Sequence, residues 1–168
     1  MTDEYQNLIN YTIKVFAKTM FATIATSNHN GDISASQITI VNDNLDLYFQ
    51  TDKNFEKIKN IGENNKVAVN FGNVYCKGIG KIVGHPLDNE TFITQLKQKN
   101  PHSYNRYSAL HDEVLVKIQV KEIRICQFEK INNKLEEVLT IIDVENNSFK
   151  KVLLSNIKTG RLFSQYVE

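Results

Sequence analysis

The sequence has no tryptophan, only two prolines and only two cysteines, which lie far apart in the chain. Cys76 and Cys126 form no CxxC motif, the spacing that marks many redox and zinc sites. We therefore expect two buried, reduced thiols of a cytoplasmic protein, with a disulfide or a redox role as the less favoured alternative. The polar start after Met1 lacks the basic and apolar regions of a signal peptide.

Long apolar runs and an excess of one charge are also missing. No run approaches the roughly 20 apolar residues of a membrane-spanning helix, so we expect no membrane partner. The 20 lysines and arginines nearly balance the 19 aspartates and glutamates, and the two signs are interspersed. This pattern lacks the basic patch typical of nucleic-acid-binding proteins, and we predict no nucleic-acid partner.

Motifs for several classes of chemistry are absent as well. The four histidines include no HxxxH or HExxH pair, so we predict no metal site. A haem held by a single histidine stays open as an alternative, with His102 and His111 on either side of a loop. There is no Walker or Rossmann glycine pattern and no nucleophile elbow, so no catalytic residue is assigned.

The hydrophobic periodicity of residues 1–168 predicts a single domain of α+β class, mainly β, with short flanking helices. Helices are expected at 3–19, 54–63 and from 88 or 89 to 99, with a further turn or two at 103–110. Strands are expected at 21–27, 33–41, 45–50, 66–71, 74–84, 113–128 and 135–144, with 149–154 ambiguous and an irregular tail to 168. Closure into an antiparallel barrel would protect the edges of so many strands.

Turn residues predict the order of the first strands, and one strand carries unusual glycines. Asn30-Gly31 and Asp43-Asn44 are favourable turn pairs, so the first three strands are expected to form an antiparallel meander of two hairpins. Gly78 and Gly80 lie within one long strand. They predict a bulge, or a close approach of another backbone or of a flat ligand.

The most informative stretch is residues 45–71, in which a strand, a polar elbow, a helix and a second strand follow one another. The elbow consists of Thr51, Asp52, Lys53 and Asn54. Asp52 and Asn54 are favourable N-cap residues for the helix. Lys53 and Lys57 flank its expected start, where cations and free backbone N–H groups favour a phosphate. An ordinary strand-to-helix turn with solvated lysines is the alternative interpretation.

The same stretch resembles a known family. The pattern Y-F-Q-T-x-x-x-x-x-K-x-x-N-I-x-x-N-x-x-V-A-V, over residues 48–69, is similar to that of the FMN-binding split β-barrel family. That family is typified by pyridoxamine 5′-phosphate oxidase and by the general stress protein 26-like proteins. The similarity extends from Phe21–Thr26 through Gly80–Val83, with a weaker match at Glu113–Phe128. It implies an antiparallel split β-barrel over most of the chain.

The resemblance also implies a homodimer that binds FMN at the subunit interface. It assigns the flavin phosphate to Thr51 and Lys57, with Lys53 and Asn54 beside them. It assigns the flavin ring to the strand residues Ser36, Gln37, Ile38 and Thr39, with Tyr75 reaching the flavin of the other chain. A plain barrel strand is the alternative interpretation of residues 36–39.

The chain departs from true pyridoxamine 5′-phosphate oxidases at three places. The strand 33–42 carries no basic residue, and Phe55-Glu56 stands where those enzymes have Ser-Arg. The segment Arg161-Leu162-Phe163-Ser164 lacks the proline of their C-terminal signature. We therefore predict that the protein does not oxidise pyridoxamine 5′-phosphate.

The prediction from the sequence is a cytoplasmic FMN-binding flavoprotein, a flavin-dependent oxidoreductase that acts on a small molecule of unknown identity. A non-catalytic carrier of flavin or haem is the first alternative, because no obvious general acid or base stands out. A degenerate barrel that binds no cofactor and serves as an interaction module is the second. The sequence assigns no role to residues 135–168.

Overall fold

The structure, a computed structural model, describes residues 3–155, and the predicted irregular tail with Arg161-Leu162-Phe163-Ser164 lies outside them. Nine strands and four α-helices occur within the described residues, so the fold is α+β and mainly β, as predicted. No helix in this range has the length and apolar character needed to cross a membrane. The elements are α1 (Asp3–Lys18), β1 (Phe21–Ser27), β2 (Ile33–Thr39), β3 (Val41–Asp43), β4 (Asp46–Asp52), α2 (Glu56–Glu63), β5 (Lys66–Asn70), β6 (Val74–Gly84), α3 (Glu90–Lys99), α4 (Pro101–Tyr107), β7 (Glu113–Ile131), β8 (Lys134–Asp143) and β9 (Ser148–Leu153).

All nine strands belong to one antiparallel sheet. Its order is β2-β1-β5-β6-β7-β4-β3, with β8 beside β7 and β9 beside β8. Within the described residues, no strand pairs with the outer edge of β2 or β3, so the sheet is not closed. This open antiparallel arrangement fits the split β-barrel that the resemblance implied.

Both predicted hairpins of the first strands are confirmed, but the continuous meander is wrong, because the predicted middle strand 33–41 is divided into β2 and β3. β1 and β2 form a hairpin, but β3 and β4 form a separate one, with Asn44 at its turn in the left-handed region (φ 52°). β4 then pairs with β7, where Leu47 lies opposite Ile118, and not with β2. The fully buried Ile40 separates β2 from β3. Turn residues specify only local hairpins, so they carried no information on this long-range pairing.

Strand β7 joins the two parts of the sheet. Glu113–Ile118 pair with β4 and Glu122–Ile131 pair with β8, while β6 lies along the other edge of β7. The register of β6 shifts between Lys77 and Gly78. A Cβ atom added at Gly78 would lie 2.5 Å from the Gln119 carbonyl oxygen. The predicted bulge and the predicted close approach of another backbone are therefore both found at Gly78.

The main hydrophobic core lies between the inner face of the sheet and helix α1. Strand residues such as Ile24 and Ile118 are almost inaccessible to solvent. Phe16 of α1 is fully buried, and its ring lies 4.5 Å from that of Phe71 between centroids. Helix α1 thus contributes Phe16 to the core, whereas Met20 lies beyond the helix end and is 39% exposed.

A second hydrophobic cluster holds helix α3 against the start of β7. Leu115 packs there with Phe92 and Leu96 of α3. Asn89, one of the two positions at which the sequence predicted the start of this helix, accepts a hydrogen bond from the Phe92 N–H at 2.8 Å and so caps it. Asn100 caps α4 in the same way. The α3–α4 connection is therefore fixed beside the beginning of β7.

Candidate anion-binding site

Strand β4 and helix α2 are joined by the elbow that the sequence singled out. Asp52 Oδ1 accepts hydrogen bonds from the Asn54 backbone N–H at 2.7 Å and from Asn54 Nδ2 at 2.9 Å. Both side chains therefore order the loop itself, and their predicted role as helix N-caps is wrong. The helix begins at Glu56. Phe55 holds the N-cap position, and its side chain caps no N–H group among the described residues.

Thr51 and Lys57 lie together at this elbow. Thr51 is near the end of β4 and is 7% exposed, and Lys57 is on the first turn of α2. Lys57 Nζ is 3.4 Å from Thr51 Oγ1 and 4.5 Å from the centroid of the Phe55 ring. Burial lowers the pKa of the Lys57 ammonium, and the charge of Glu113 partly opposes this change. Lys57 takes part in none of the ion pairs found within residues 3–155.

The Lys53 side chain is engaged away from Lys57. Its Nζ forms an ion pair with Asp112 Oδ1 at 2.6 Å, and its backbone N–H donates to the Asp112 carbonyl oxygen at 2.8 Å. The hydrogen bond to Asp112 raises the pKa of Lys53. Both side chains are 48% exposed, so the ion pair adds little to stability. The two contacts tie the elbow to the loop that precedes β7.

A buried carboxyl that the sequence analysis did not single out lies beside the elbow. Glu113 is the first residue of β7, stands opposite Asp52 in the strand register and is 7% exposed. Its Oε2 atom is buried and has no hydrogen-bond partner among the described residues. Burial, reinforced by the Asp52 charge, raises the pKa of Glu113 to about 7, while His85 and Lys57 act in the opposite direction. The carboxyl therefore changes charge near neutral pH.

Strand β2 contains Ser36–Thr39, the residues predicted to meet a flavin ring. Within this segment Ile38 is buried in the core, whereas the other three residues reach the surface at least in part. Helix α2 is tied to the same strand, because Asn60 Nδ2 donates to Ser34 Oγ at 3.2 Å. The outer edge of β2 has no strand partner within residues 3–155. Its backbone groups are thus not used by a neighbouring strand on that side.

A polar network that the sequence did not predict links β2 and β4 to the α3–α4 connection. Asn100 Nδ2 donates to Thr39 Oγ1 at 3.0 Å. Gln50 Nε2 donates to the Ser103 carbonyl oxygen at 3.3 Å, and Gln50 Oε1 accepts from Ser108 Oγ at 2.7 Å. The same helical connection therefore holds Thr39 and Gln50, although their strands do not pair with each other.

Tyr75 is not brought together with the elbow of its own chain. It lies opposite Arg124 of β7, whose guanidinium is 5.9 Å from the centroid of the tyrosine ring. Thr51 lies opposite Val114 of the same strand. The ten residue-to-residue steps between these two positions (124 minus 114) span roughly 33 Å of extended chain.

The surroundings of three histidines, His85, His102 and His111, differ from one another. The His85 ring donates from Nε2 to the Leu110 carbonyl oxygen at 3.0 Å and accepts at Nδ1 from the Leu87 N–H at 3.3 Å, which gives it a structural role. His102 and His111, the two candidates for a haem ligand, are exposed. Residues 3–155 contain no group of three or more histidine, cysteine, aspartate or glutamate side chains that could hold a metal ion.

An apolar groove of about 410 Å³ lies on the outer face of the sheet, away from the elbow. Its lining includes Ala25, Ile33, Ala68 and Ile79 together with three lysines. Ile33 is 77% exposed. This face therefore presents apolar side chains to its surroundings.

The donors at the elbow fit a phosphate monoester. Thr51 supplies a hydroxyl and Lys57 supplies an ammonium group that no carboxylate neutralises directly. The first N–H groups of α2 add donors, since Phe55 does not cap them. The buried carboxyl of Glu113 opposes an anion when it is ionised, but its pKa allows the neutral form. The residues present thus fit the phosphate of a flavin nucleotide.

Solved structures of low sequence identity share the fold. ChuZ of Campylobacter jejuni gives a TM-score of 0.69 at 14% identity, over 84% of this chain and 61% of ChuZ, so the chain spans about three fifths of that protein. HutZ of Vibrio cholerae, described as a heme storage protein, gives a TM-score of 0.58 at 16% identity, over 70% of this chain and 94% of HutZ. General stress protein 26 of Bacillus anthracis gives a TM-score of 0.57 at 19% identity, over 70% of this chain and 92% of that one.

A family comparison covers the larger part of the sequence. Residues 1–127 match the family described as pyridoxamine 5'-phosphate oxidase. This range includes α1, strand β2, the elbow and most of β7. No curated protein matches the chain. The chain therefore belongs to the pyridoxamine 5'-phosphate oxidase family.

Proposed function

We propose that the protein binds FMN, with the flavin phosphate at Thr51 and Lys57. One observation carries this proposal, namely the convergence of the Lys57 ammonium and the Thr51 hydroxyl, 3.4 Å apart, at an uncapped helix start. A half-buried cation beside free backbone N–H groups favours a phosphate over a neutral ligand. Family membership supports the same assignment.

The remaining residues of the proposed site have separate tasks. The exposed edge of β2 at Ser36–Thr39 would hold the flavin ring through backbone groups, and the contact of Asn100 with Thr39 would keep that strand in place. Asn54 orders the elbow, whereas Lys53 is held by Asp112 and would reach the phosphate only if that ion pair opened. Bound FMN would supply hydride or single-electron transfer, and the chain would bind and orient it.

The proposed working form is a cytoplasmic homodimer with the flavin at the subunit interface. Tyr75 would then meet the flavin held by the other chain, since it is distant from the elbow of its own chain. The apolar outer face of the sheet around Ile33 supports a second copy as its partner, because such faces are normally covered. The unpaired state of Cys76 and Cys126 supports the reducing compartment.

The proposed activity is a flavin-dependent oxidoreduction of a small molecule other than pyridoxamine 5′-phosphate. The exclusion of that substrate rests on strand β2, which carries no basic residue, and on Phe55-Glu56 at the helix start. A substrate phosphate would find no cation from β2.

A non-catalytic carrier of haem or flavin is the second candidate. The similarity of the fold to HutZ, described as a heme storage protein, favours it. An axial ligand would come from His102 in α4 or from His111, which follows that helix; both are exposed. The two candidates differ in colour and in reactivity toward a reductant.

A visible absorption spectrum of the purified protein, before and after addition of FMN, tests the proposal. We expect a flavin doublet and saturable quenching of FMN fluorescence. A Soret band would favour the haem carrier, and a colourless protein that ignores FMN would refute the proposed binding of FMN. Mixing the flavin form with NAD(P)H separates an oxidoreductase, whose flavin bleaches, from a carrier, whose flavin stays oxidised.

A pair of lysine variants tests the phosphate assignment. Lys57→Met keeps the packing of the side chain and removes its charge, and should weaken FMN binding by about 1.5–3 kcal/mol, roughly 10- to 150-fold in Kd. Lys59→Met removes an exposed charge from the same helix and is the control. The affinity for riboflavin, which lacks the phosphate, should be nearly the same in all three proteins. Equal losses for FMN in both variants would remove Lys57 from the site.

A further inference from the structure

Glu113 is the buried ionisable group of the elbow for which the proposed function has no task. Its side chain is 7% exposed, and Oε2 lacks a hydrogen-bond partner among the described residues. A buried carboxyl oxygen without a partner is costly, because it loses its contacts with water and gains nothing in return. Such an atom indicates either a free-energy cost that the folded protein retains or a hydrogen-bond partner that a bound ligand supplies.

The charged groups that act on Glu113 come from three different parts of the fold. Asp52 lies directly opposite on β4, Lys57 belongs to α2, and His85 follows β6. Both nitrogens of the His85 ring are engaged with backbone groups. The charge of Asp52 raises the pKa of the Glu113 carboxyl, and the charges of His85 and Lys57 lower it. Among the carboxylate and ammonium groups of this set, Asp52 is negative and Lys57 is positive.

The local charge depends on a single proton. With Glu113 ionised, two carboxylates and one ammonium leave a net negative charge, which repels a phosphate. With Glu113 neutral, the charges of Asp52 and Lys57 cancel, and Glu113 gains an O–H group that can donate. Two carboxylates directly opposite each other across strands also repel one another, which favours the neutral acid.

We propose that Glu113 is part of the phosphate site and binds there as the neutral acid, so that at alkaline pH the binding of a phosphate monoester at Thr51 and Lys57 takes up one proton. The proton comes from solvent and resides on the Glu113 carboxyl, and no other bond changes. The proposal rests on the proposed binding of FMN. It adds a residue to the site and makes the affinity for the phosphate depend on pH.

This pH dependence of the affinity is opposite in direction to the one that ionisation of the ligand's phosphate would cause by itself. A phosphate monoester gains its second negative charge with a pKa near 6, so a purely cationic site binds more tightly as the pH rises through that range. A site that needs a neutral Glu113 binds more weakly as the pH rises above about 7, by up to tenfold for each pH unit. Riboflavin, which has no phosphate, should show neither effect.

The test measures FMN affinity by fluorescence quenching between about pH 6 and 9, for the wild type, Glu113→Gln and Glu56→Gln. Glu113→Gln keeps the shape of the neutral acid, and Glu56→Gln removes an exposed carboxyl at the start of the same elbow helix. We expect the wild type and Glu56→Gln to lose roughly tenfold in affinity from about pH 7.5 to 8.5. Glu113→Gln should keep its affinity and bind more tightly than the wild type at the upper end.

Calorimetry in two buffers of different ionisation enthalpy gives the proton count directly. At about pH 8 the wild type should take up close to one proton per FMN, and Glu113→Gln close to none. Equal pH profiles for these two proteins, or an affinity lowered by the substitution to the same extent at every pH, would overturn the role of Glu113. Absence of FMN binding by the wild type at any pH would instead refute the proposed function itself.

Discussion

Replacement of Glu113 by glutamine should stabilise the protein at alkaline pH, even in the absence of any ligand. In the fold the carboxyl is buried beside Asp52, and its pKa rises from 4.5 to about 7. Below about pH 4.5 both the folded and the unfolded chain hold this proton, so Glu113 adds no pH dependence there. Between about pH 4.5 and 7 the unfolded chain releases the proton and the folded chain keeps it. The free energy of unfolding therefore falls as the pH rises through this window.

The magnitude follows from the same two values. A pKa that rises from 4.5 to about 7 on folding corresponds to about 3 kcal/mol between the buried acid and the buried anion. Glutamine resembles the neutral acid at every pH. The difference in unfolding free energy between Glu113→Gln and the wild type should thus grow by about 3 kcal/mol from about pH 4.5 to 8, in favour of the variant.

Urea denaturation at a series of pH values measures this difference. The growth of the difference with pH is the quantity of interest, because a constant offset would reflect packing of the amide alone. Glu56→Gln is the matched control, and it should stay within about 0.5 kcal/mol of the wild type, as most surface substitutions do. A difference between Glu113→Gln and the wild type that is flat across the window, or that shrinks with pH, would refute the assignment of a buried acid.

Three further predictions concern the fold. Gly78→Ala should lower the unfolding free energy by about 1–3 kcal/mol, because the added methyl group meets a neighbouring carbonyl oxygen. Gly62→Ala, in open space on helix α2, should instead raise it by about 0.5–1 kcal/mol. Thermal unfolding of both variants checks this contrast. Asn60→Ala should cost about 1–3 kcal/mol in urea denaturation, since it removes the donor to the buried Thr26 hydroxyl and to the half-buried Ser34 hydroxyl. Burial raises the pKa of the Cys76 thiol to about 12, so Cys76 should resist a thiol reagent in the folded protein. The less buried Cys126 should react first, and simultaneous reaction of both cysteines would contradict the burial of Cys76.

Local signals in the sequence identified most elements. Hydrophobic period and turn residues predicted α1, β1 and β6 with errors of one residue or none at their ends. The hairpin turn at Asn44 was predicted as well, and its φ of 52° shows why an asparagine stands there. What the local pattern did not contain was the partner of β4, because pairing with β7 depends on residues far away in the chain.

The candidate site was predictable only in part, for the same reason. Thr51 and Lys57 lie six positions apart, so a strand end and one helical turn suffice to bring them together. Glu113 reaches the elbow only through the pairing of β7 with β4, and as a charged residue at the start of a strand it has the sequence context of a solvated side chain. The N-cap prediction for Asp52 failed because its carboxylate has a closer donor in the Asn54 N–H.

The position of β7 in the sheet also constrains the order in which the chain can fold during synthesis. Leu47 of β4 faces Ile118 of β7, and the ribosome adds 71 residues (118 minus 47) between the two. At roughly 5–20 residues per second, this takes on the order of 4–14 s. Throughout that interval the edge of β4 that pairs with β7 in the folded protein has no partner, and the β3–β4 hairpin cannot bury Leu47 and Phe49 against β7. The nascent chain thus passes through a stage in which this hairpin is a target for chaperones and for pairing with other chains.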